Sequence, residues 1–384
     1  MRDALFMPDD PLTILQTCYS PSWGGLELQA LEISLQLQRR GHAITLSCLP
    51  GTRLAREAAA AGIRTFLLPV QGYLHPLLIR RLSREMRRQS THLIHCQHSR
   101  DVATVVPAML LSGKRRPVLL SKRVGSYLKK KDFFHRITYR YVDRVLAISE
   151  VIRHNVIETL PVPADRVLTL HDAIDTRRFA PERGDRARVR KEFGYDEKVF
   201  LVGFVGRFSP GKGHEEFLQA AALLKERFPS VRYLIVGEAS HGEERFTEGI
   251  HALARELGIE RIVRFAGFRK DIPDVMASFD LFAFPSHAES FGIVLIEAMA
   301  MERPVVSSNC DGVLDIMVNG ETGLMVPPRN APALADALAK LLEDPALRAR
   351  MGAAARHRVI TLFDQQRQVD RLEEIYRSVL NSSF

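Results

Sequence analysis

Short apolar runs alternating with helix-like segments, in two successive series, constrain this chain more than any other feature. In the first half the runs are LTILQT (12–17), AITLSC (43–48), TFLLPV (65–70), HLIHC (92–96), VLLS (118–121), RVLAIS (144–149) and RVLTL (166–170). Amphipathic stretches such as LELQALEISLQLQRRG (26–41) lie between them, that one closing on a glycine as helices commonly do. Strands that read as near-continuous apolar runs are buried on both faces, and helical crossovers make neighbouring strands parallel. A second series follows: VFLVGFVG (199–206), VRYLIVGE (231–238), RIVRFAG (261–267), DLFAFPS (280–286) and PVVSS (304–308). Between them PERGDRARVRKEFGYDEK (181–198) is polar and reads as a linker passing into a short helix. The expected fold class is α/β, with two similar doubly wound domains facing a central cleft. Ligands in such sheets bind beyond the carboxyl ends of the strands.

Length agrees with this division, since 384 residues exceed what one core usually organises. With 46% hydrophobic and 26% charged residues the chain falls among soluble globular proteins. The longest apolar run, VATVVPAMLL (102–111), contains a proline and is about half the roughly 20 residues a bilayer requires. MRDALFMPDDP (1–11) carries early acids and no apolar core, so no leader peptide is evident. Cys18, Cys48, Cys96 and Cys310 are widely spaced without a CxxC pair, which fits reduced thiols better than a disulfide framework or a zinc site. A net charge of +9 calls for anionic partners.

The chemistry concentrates in two stretches. GFVGRFSPGKGHEEF (203–217) follows a buried strand and leads into a helix. Gly206, Gly211 and Lys212 satisfy G-x4-G-K, but Gly213 stands where a P-loop has Ser or Thr to hold magnesium, and no later strand ends in a suitable Asp. The looser reading is a glycine turn allowing close backbone approach, with Arg207 and Lys212 able to meet one diphosphate. The alternative is an ordinary strand–helix turn carrying two solvated cations.

The second stretch, HAESFGIVLIEAMA (287–300), places Glu289 and Glu297 at either end of an apolar segment. A helix opening near Phe291–Gly292, capped by Ser290 or a neighbour, offers free amides to a phosphate. Carboxylates beside that phosphate need neutral hydrogen-bond donors, and sugar hydroxyls are the obvious ones. The pair then measures a nucleotide sugar, with Glu289 on the hexose and Glu297 on the ribose. Without the upstream Gly–Arg–Lys segment, a junction glutamate plus a salt-bridged helix glutamate would explain both.

Glu289-SFGIVLI-Glu297 resembles the E-x7-E motif of retaining glycosyltransferases of the GT-B fold, especially glycosyltransferase family 4. The resemblance extends over nearly the whole chain, in order: PSWGGLE (21–27), ISEVIRHNVIE (148–158), HDAIDTRRFAP (171–181), VGRFSPGKG, VGEAS, FAGF and NGETGLMVPP. It implies two Rossmann-like domains: 1–182 on the acceptor side, joined by a crossover helix within 362–384 that packs back on it, and 183–361 binding the donor. It further implies that Arg207 and Lys212 bind the donor diphosphate and that Gly24 and Gly25 approach the phosphates from the other domain. Glu289 and the amides of Phe291, Gly292, Ile293 and Val294 would hold sugar and phosphate, and Glu297 the ribose. The implied reaction is hexose transfer from a nucleotide-diphosphate sugar with retention of configuration, using no cofactor and no obligatory metal. No DxD motif is present.

The chain departs from the family among the N-terminal histidines. HLIHCQHSRD (92–101) has Gln97 in place of the second histidine of an H-x-H strand end, and His98 follows. SKRVGSY (121–127) supplies Lys122 and Arg123 where a histidine is common. His98 is the candidate near the sugar, against a structural role, while His95 is expected in the strand with hydrogen-bond partners. His171–Asp172 falls on a structural turn of the family. Arg80, Arg81, Arg84, Arg87 and Arg88, Lys114–Arg116, Lys122 and Arg123, and Lys129–Lys131 beside Leu128, Phe133 and Phe134 make the acceptor side basic and partly apolar. The expected acceptor is an anionic glycan or lipid-linked glycan, phosphorylated, membrane-embedded or both, as in lipopolysaccharide or polysaccharide assembly. The expected location is the cytoplasm, with peripheral association at an anionic membrane. No nucleic-acid-binding pattern is found. A sugar-nucleotide epimerase of the same fold and a non-catalytic sugar-nucleotide-binding protein are the alternatives. The E-x7-E pair and the GGLE turn argue against the first.

Overall fold

The computed structural model describes residues 10–382 apart from 71, 73, 74, 240 and 241. Residues 1–9 of the N-terminal run read for a leader, and Ser240 of VGEAS, therefore lie outside the described residues. The chain divides into two compact units, residues 1–172 with 367–384, and residues 173–366.

The first unit contains a parallel sheet of seven strands: β1 (Thr13–Cys18), β2 (Ala43–Cys48), β3 (Arg64–Leu67), β4 (Leu93–Cys96), β5 (Val118–Lys122), β6 (Arg144–Ala147) and β7 (Val167–Thr169), in the order β3-β2-β1-β4-β5-β6-β7. The second contains β8 (Phe200–Val205), β9 (Val231–Val236), β10 (Val263–Phe265), β11 (Leu281–Phe284), β12 (Val305–Ser308) and β13 (Leu324–Val326), in the order β10-β9-β8-β11-β12-β13, again all parallel. Both sheets reverse their winding once, between β1 and β4 and between β8 and β11. Loops leaving those neighbours diverge, and the gap between them is where a doubly wound sheet accepts a ligand. Twelve strand positions follow from the apolar runs. β13 does not, because LMV (324–326) is three residues inside a glycine-rich turn, too short for a periodic signal.

The last helix, Gln365–Asn381, buries Val369, Leu372, Ile375, Tyr376, Val379 and Leu380 in the core of the first unit. Each aliphatic side chain so placed contributes roughly 1.5–3 kcal/mol. Tyr376 adds a specific contact, its hydroxyl lying 2.6 Å from Nδ1 of buried His95, whose Nε2 is 2.8 Å from Ser121 Oγ. His95 is thus a hydrogen-bonded strand histidine, and burial depresses its pKa to about 3.

The boundaries differ from those expected. The first unit ends at Asp172, ten residues before the anticipated 182, and resumes at Arg367 rather than 362. Residues 173–182 belong to the second unit because their backbone is used there: Ile174 N–H donates to Phe363 O at 3.0 Å, Gln365 N–H to Ile174 O at 2.9 Å, and Arg356 to Phe179 O at 3.2 Å. The polar stretch 181–198 is likewise no loose linker. Its helix Arg186–Glu192 packs on the helix Ile272–Ser278, and Arg190 is 1% exposed. Arg190 donates to Ser278 O at 2.9 Å, Asp196 O at 2.9 Å and Asp280 Oδ2 at 3.2 Å. Composition misled here because arginines at this position are internal, satisfied by carbonyls and one carboxylate.

Candidate functional site

In the second unit the loops after β8 and β11 build the site. Gly213 (φ +84°) is the N-cap of the helix His214–Leu224, and a Cβ there would lie 2.1 Å from Pro285 O. This explains the departure from a P-loop: no Ser or Thr fits at Gly213, because the β11 loop packs directly on its α-carbon. Gly237 (φ +145°), at the end of β9, is closer still, since its Cβ would come within 1.8 Å of Gly206 O. The Gly206–Gly213 turn is thus pressed between two backbone segments, leaving Arg207 exposed and Lys212 partly so.

The β11 loop is fixed with equal care. His287 N–H donates to Gly211 O at 2.8 Å, its Nε2 lies 2.8 Å from Glu216 Oε1, and its Nδ1 accepts from Arg329 Nε at 3.3 Å. Glu289 is held at both ends of its peptide unit, its N–H donating to Asp311 Oδ2 at 3.2 Å and its carbonyl accepting from Gly312 N–H at 2.9 Å. Gly312 must be glycine, since a Cβ there would sit 2.4 Å from Ser290 O. His287, Asp311, Gly312 and Glu216 were missed in the sequence. Their roles are to brace the chain around Glu289, and only the fold brings them to it.

Glu289 and Lys212, 77 residues apart, meet directly: Nζ donates to Oε2 at 2.6 Å. The Lys212 and Glu289 side chains remain 25% and 18% exposed, so both can still be reached by a ligand. The sequence suggested Lys212, with Arg207, for a diphosphate and Glu289 for a sugar, and gave no sign that the two side chains touch. In the fold each is the other's partner, because an ammonium and a carboxylate converging on one opening attract one another.

The helix after Glu289 begins later than the sequence suggested. Its N-cap is Gly292 (φ +114°), without a side-chain cap, so Ser290 does not serve as one, and the helix runs Ile293–Ala300. Phe291 and Gly292 are buried in the preceding turn, while the amides of Ile293 and Val294 occupy the first helical turn, where no intrahelical acceptor exists. Glu297 lies one turn along. Burial pushes its carboxyl up to about 8, partly offset by the charge of Arg178, so it is protonated near neutrality rather than the anion expected. Its folded pKa exceeds the ordinary 4.5, so its contribution to stability is full below that value and is lost as pH rises through about 8. Glu297→Gln is therefore expected to gain melting temperature on the wild type steadily between pH 5 and pH 9. A constant difference across that range would contradict the assignment.

In the first unit Gly24 precedes the helix Gly25–Arg39, and Glu27 Oε2 accepts the Gly24 N–H at 2.8 Å. Gly24 is extended, a conformation any residue adopts, and a Cβ on Gly25 would meet nothing within 4 Å. These glycines keep open space beside the turn. His98 follows β4 with Nδ1 accepting from Arg100 N–H at 3.2 Å, and burial with nearby cations lowers its pKa to about 4. Lys122 and Arg123 lie at the end of β5, 8% and 7% exposed. Arg123 contacts Gln97 Oε1 at 3.2 Å and Asp172 at 3.3 Å. Asp172 is thereby tied to Arg123, in keeping with a structural role for the His171–Asp172 turn. Asp101, fully buried, accepts from Thr17 Oγ1 at 2.8 Å and is raised to about 7 by burial. The four cysteines are buried free thiols.

Comparison with known proteins decides the family. The family model described as "Glycosyl transferases group 1" matches residues 185–358, and that described as "Glycosyltransferase Family 4" matches residues 23–178. The chain belongs to the family 4 type of glycosyltransferases. An alpha-D-kanosaminyltransferase of Streptomyces kanamyceticus is 31% identical over 268 residues, 69% of this chain and 67% of that relative. A D-inositol 3-phosphate glycosyltransferase of Kribbella flavida is 34% identical over 220 residues, 56% of this chain and 51% of the relative. The chain thus spans between about half and two thirds of the length of these relatives. Anabaena HepE, whose crystal structure is a complex with UDP, superposes with a TM-score of 0.84 at 24% identity, covering 96% of this chain and all of that one. The shared architecture of this glycosyltransferase is GT-B, two parallel-sheet Rossmann-like units.

Proposed function

We propose that this glycosyltransferase moves a hexose from a nucleotide-diphosphate sugar to an anionic glycan or glycolipid, with retention of configuration and without an obligatory metal. The observation that carries the reading is the Lys212–Glu289 contact beside the helix that opens at Ile293. A diphosphate entering there meets Lys212, Arg207 and the Ile293 and Val294 amides, which together supply the positive charge a departing diphosphate needs. Lys212 has three donors, so it can keep Glu289 while binding phosphate. Glu289, aligned by Asp311 and Gly312, then accepts from sugar hydroxyls, and protonated Glu297 can donate to or accept from the ribose.

The reaction follows from this distribution of charge. The anomeric C–O bond breaks with its electron pair passing to the diphosphate, the acceptor oxygen adds from the same face, and its proton goes to the leaving phosphate oxygen. Glu289 orients the sugar and takes no proton.

UDP, which HepE binds, is the first donor base to try. The acceptor is placed at a membrane surface, in lipopolysaccharide or polysaccharide assembly on the cytoplasmic side. In support, Tyr127, Leu128 and Phe133 are exposed among Lys129, Lys130 and Lys131. No helix of the described residues is long and apolar enough to cross a membrane.

The test is a thermal-shift panel of UDP-, GDP-, ADP- and CMP-linked sugars, followed by a transfer assay with whichever stabilises the protein. One nucleotide is expected to stand out, and Lys212→Ala to weaken its diphosphate roughly tenfold or more, as loss of a charged hydrogen bond does. No stabilisation by any of the four, or binding indifferent to Lys212, would remove the donor site from this position.

A further inference from the structure

The opening that receives the diphosphate is short of positive charge. Lys212 Nζ lies 2.6 Å from Glu289 Oε2, so one cation is already matched by one anion, and Asp311 Oδ2 stands 3.2 Å from the Glu289 N–H. A nucleoside diphosphate brings several negative charges. Arg207 and the amides at the start of the helix Ile293–Ala300 are what remains to meet them.

Arg329 stands beside this opening. It follows β13, in PPRN (327–330), and its exposed side chain donates from Nε to His287 Nδ1 at 3.3 Å. His287 lies on the β11 loop shortly before Glu289. Its N–H donates to Gly211 O at 2.8 Å, and its Nδ1 lies 3.9 Å from where a Cβ on Gly211 would project. Gly211 immediately precedes Lys212, so the guanidinium is docked at the edge of the turn that carries that lysine. A guanidinium has only donors, which makes Nδ1 the lone-pair nitrogen and places the ring proton on Nε2, 2.8 Å from Glu216 Oε1. Glu216 thus orients the imidazole, and the imidazole holds the arginine.

Two further observations set Arg329 apart. Arg186, Arg188 and Arg269 of the same unit each lie against carboxylates. Among the described residues Arg329 has no carboxylate within ion-pairing distance, and its two Nη groups have no hydrogen-bond partner. It also carries φ +59°, in the left-handed region where a side chain is strained and glycine is favoured. An arginine kept at such a position, with one donor anchored and its paired donors unspent, is equipped to receive an anion, and phosphate oxygens match its fork.

We propose that Arg329 is a third cation for the donor diphosphate, beside Arg207 and Lys212, and that His287 is the positioning residue that holds it there. The inference deepens the donor reading and rests on it for the identity of the anion.

Calorimetry with uridine, UDP and inorganic pyrophosphate on the full chain tests it. Arg329→Gln is expected to weaken UDP and pyrophosphate about fivefold to tenfold, as loss of a charged hydrogen bond does, and uridine not at all. Arg329→Gly should bind UDP as weakly while melting no lower than the wild type, because it relieves the strain at φ +59°. A residue kept only for the fold would lose stability in that variant. His287→Leu removes the acceptor of Arg329 Nε and should weaken UDP, and adding Arg329→Gln to it should cost less than about twofold more. Equal loss of uridine and UDP in Arg329→Gln overturns the proposal. So does UDP binding that Lys212→Ala weakens and Arg329→Gln does not, an outcome that leaves the donor reading standing. Pyrophosphate held through Lys212 and Arg329 by a chain that ignores UDP supports the anion site and removes the nucleotide from the donor reading.

Discussion

Glu289→Gln is expected to lower turnover by on the order of 10²–10³-fold while leaving UDP affinity intact or improved. The two halves come from one contact. Lys212 Nζ and Glu289 Oε2 are 2.6 Å apart, so in the empty site the lysine's charge is largely spent on the glutamate. Replacing the carboxylate by an amide keeps shape and a hydrogen-bonding oxygen but frees that charge for phosphate. The sugar, in contrast, loses an anionic acceptor that Asp311 and Gly312 hold in place, and a hexose free to rotate by a fraction of an ångström spends less time aligned for transfer. Calorimetry with UDP and initial rates with the UDP-sugar read the two effects separately. A fall in UDP affinity matching the fall in rate would mean that Glu289 supports the fold of the loop rather than the sugar.

Gly237→Ala should be more damaging to the protein than any change at the polar site. The residue has φ +145°, a conformation that disfavours any side chain, and an added Cβ would sit 1.8 Å from Gly206 O. Overpacking against backbone and strain at such a φ each cost about 1–3 kcal/mol, giving a loss of about 4 kcal/mol. Because Gly206 leads into Arg207 and Lys212, the surviving folded protein should also bind nucleotide poorly. Chemical denaturation measures the first effect. Gly25→Ala, where a Cβ meets nothing within 4 Å, is the control expected to leave stability near that of the wild type.

Strands were the most legible part of the sequence, because a run such as AITLSC (43–48), with apolar or small uncharged side chains on both faces, has few alternatives to a buried parallel strand, and β2 spans those residues. The sheet order was not legible, since nothing in a run says which neighbour it will take. The boundaries moved for a related reason: residues 173–182 read as part of the first domain because the polar stretch begins only at 181, yet Ile174 and Phe179 give their backbone to Phe363, Gln365 and Arg356. Lys212 and Glu289 could be suspected from motif spacing, but their direct contact could not, because it depends on Gly213 letting the β11 loop come close. Likewise Glu297 reads as an ordinary carboxylate in any sequence, and only the fold shows the surroundings that push its carboxyl up to about 8. The sequence set Lys122 and Arg123 apart only by their place after a strand; burial separates Lys122 from exposed Lys129.

The central claim is that a diphosphate rests on Lys212 and on the start of the helix Ile293–Ala300, with Glu289 beside it. A crystal structure of the protein with bound UDP-sugar tests it most directly. The account predicts phosphate oxygens within hydrogen-bonding distance of Lys212 Nζ and the Ile293 or Val294 amides, and Glu289 on a sugar hydroxyl. A nucleotide bound away from these groups, with the Lys212–Glu289 pair undisturbed, would contradict it.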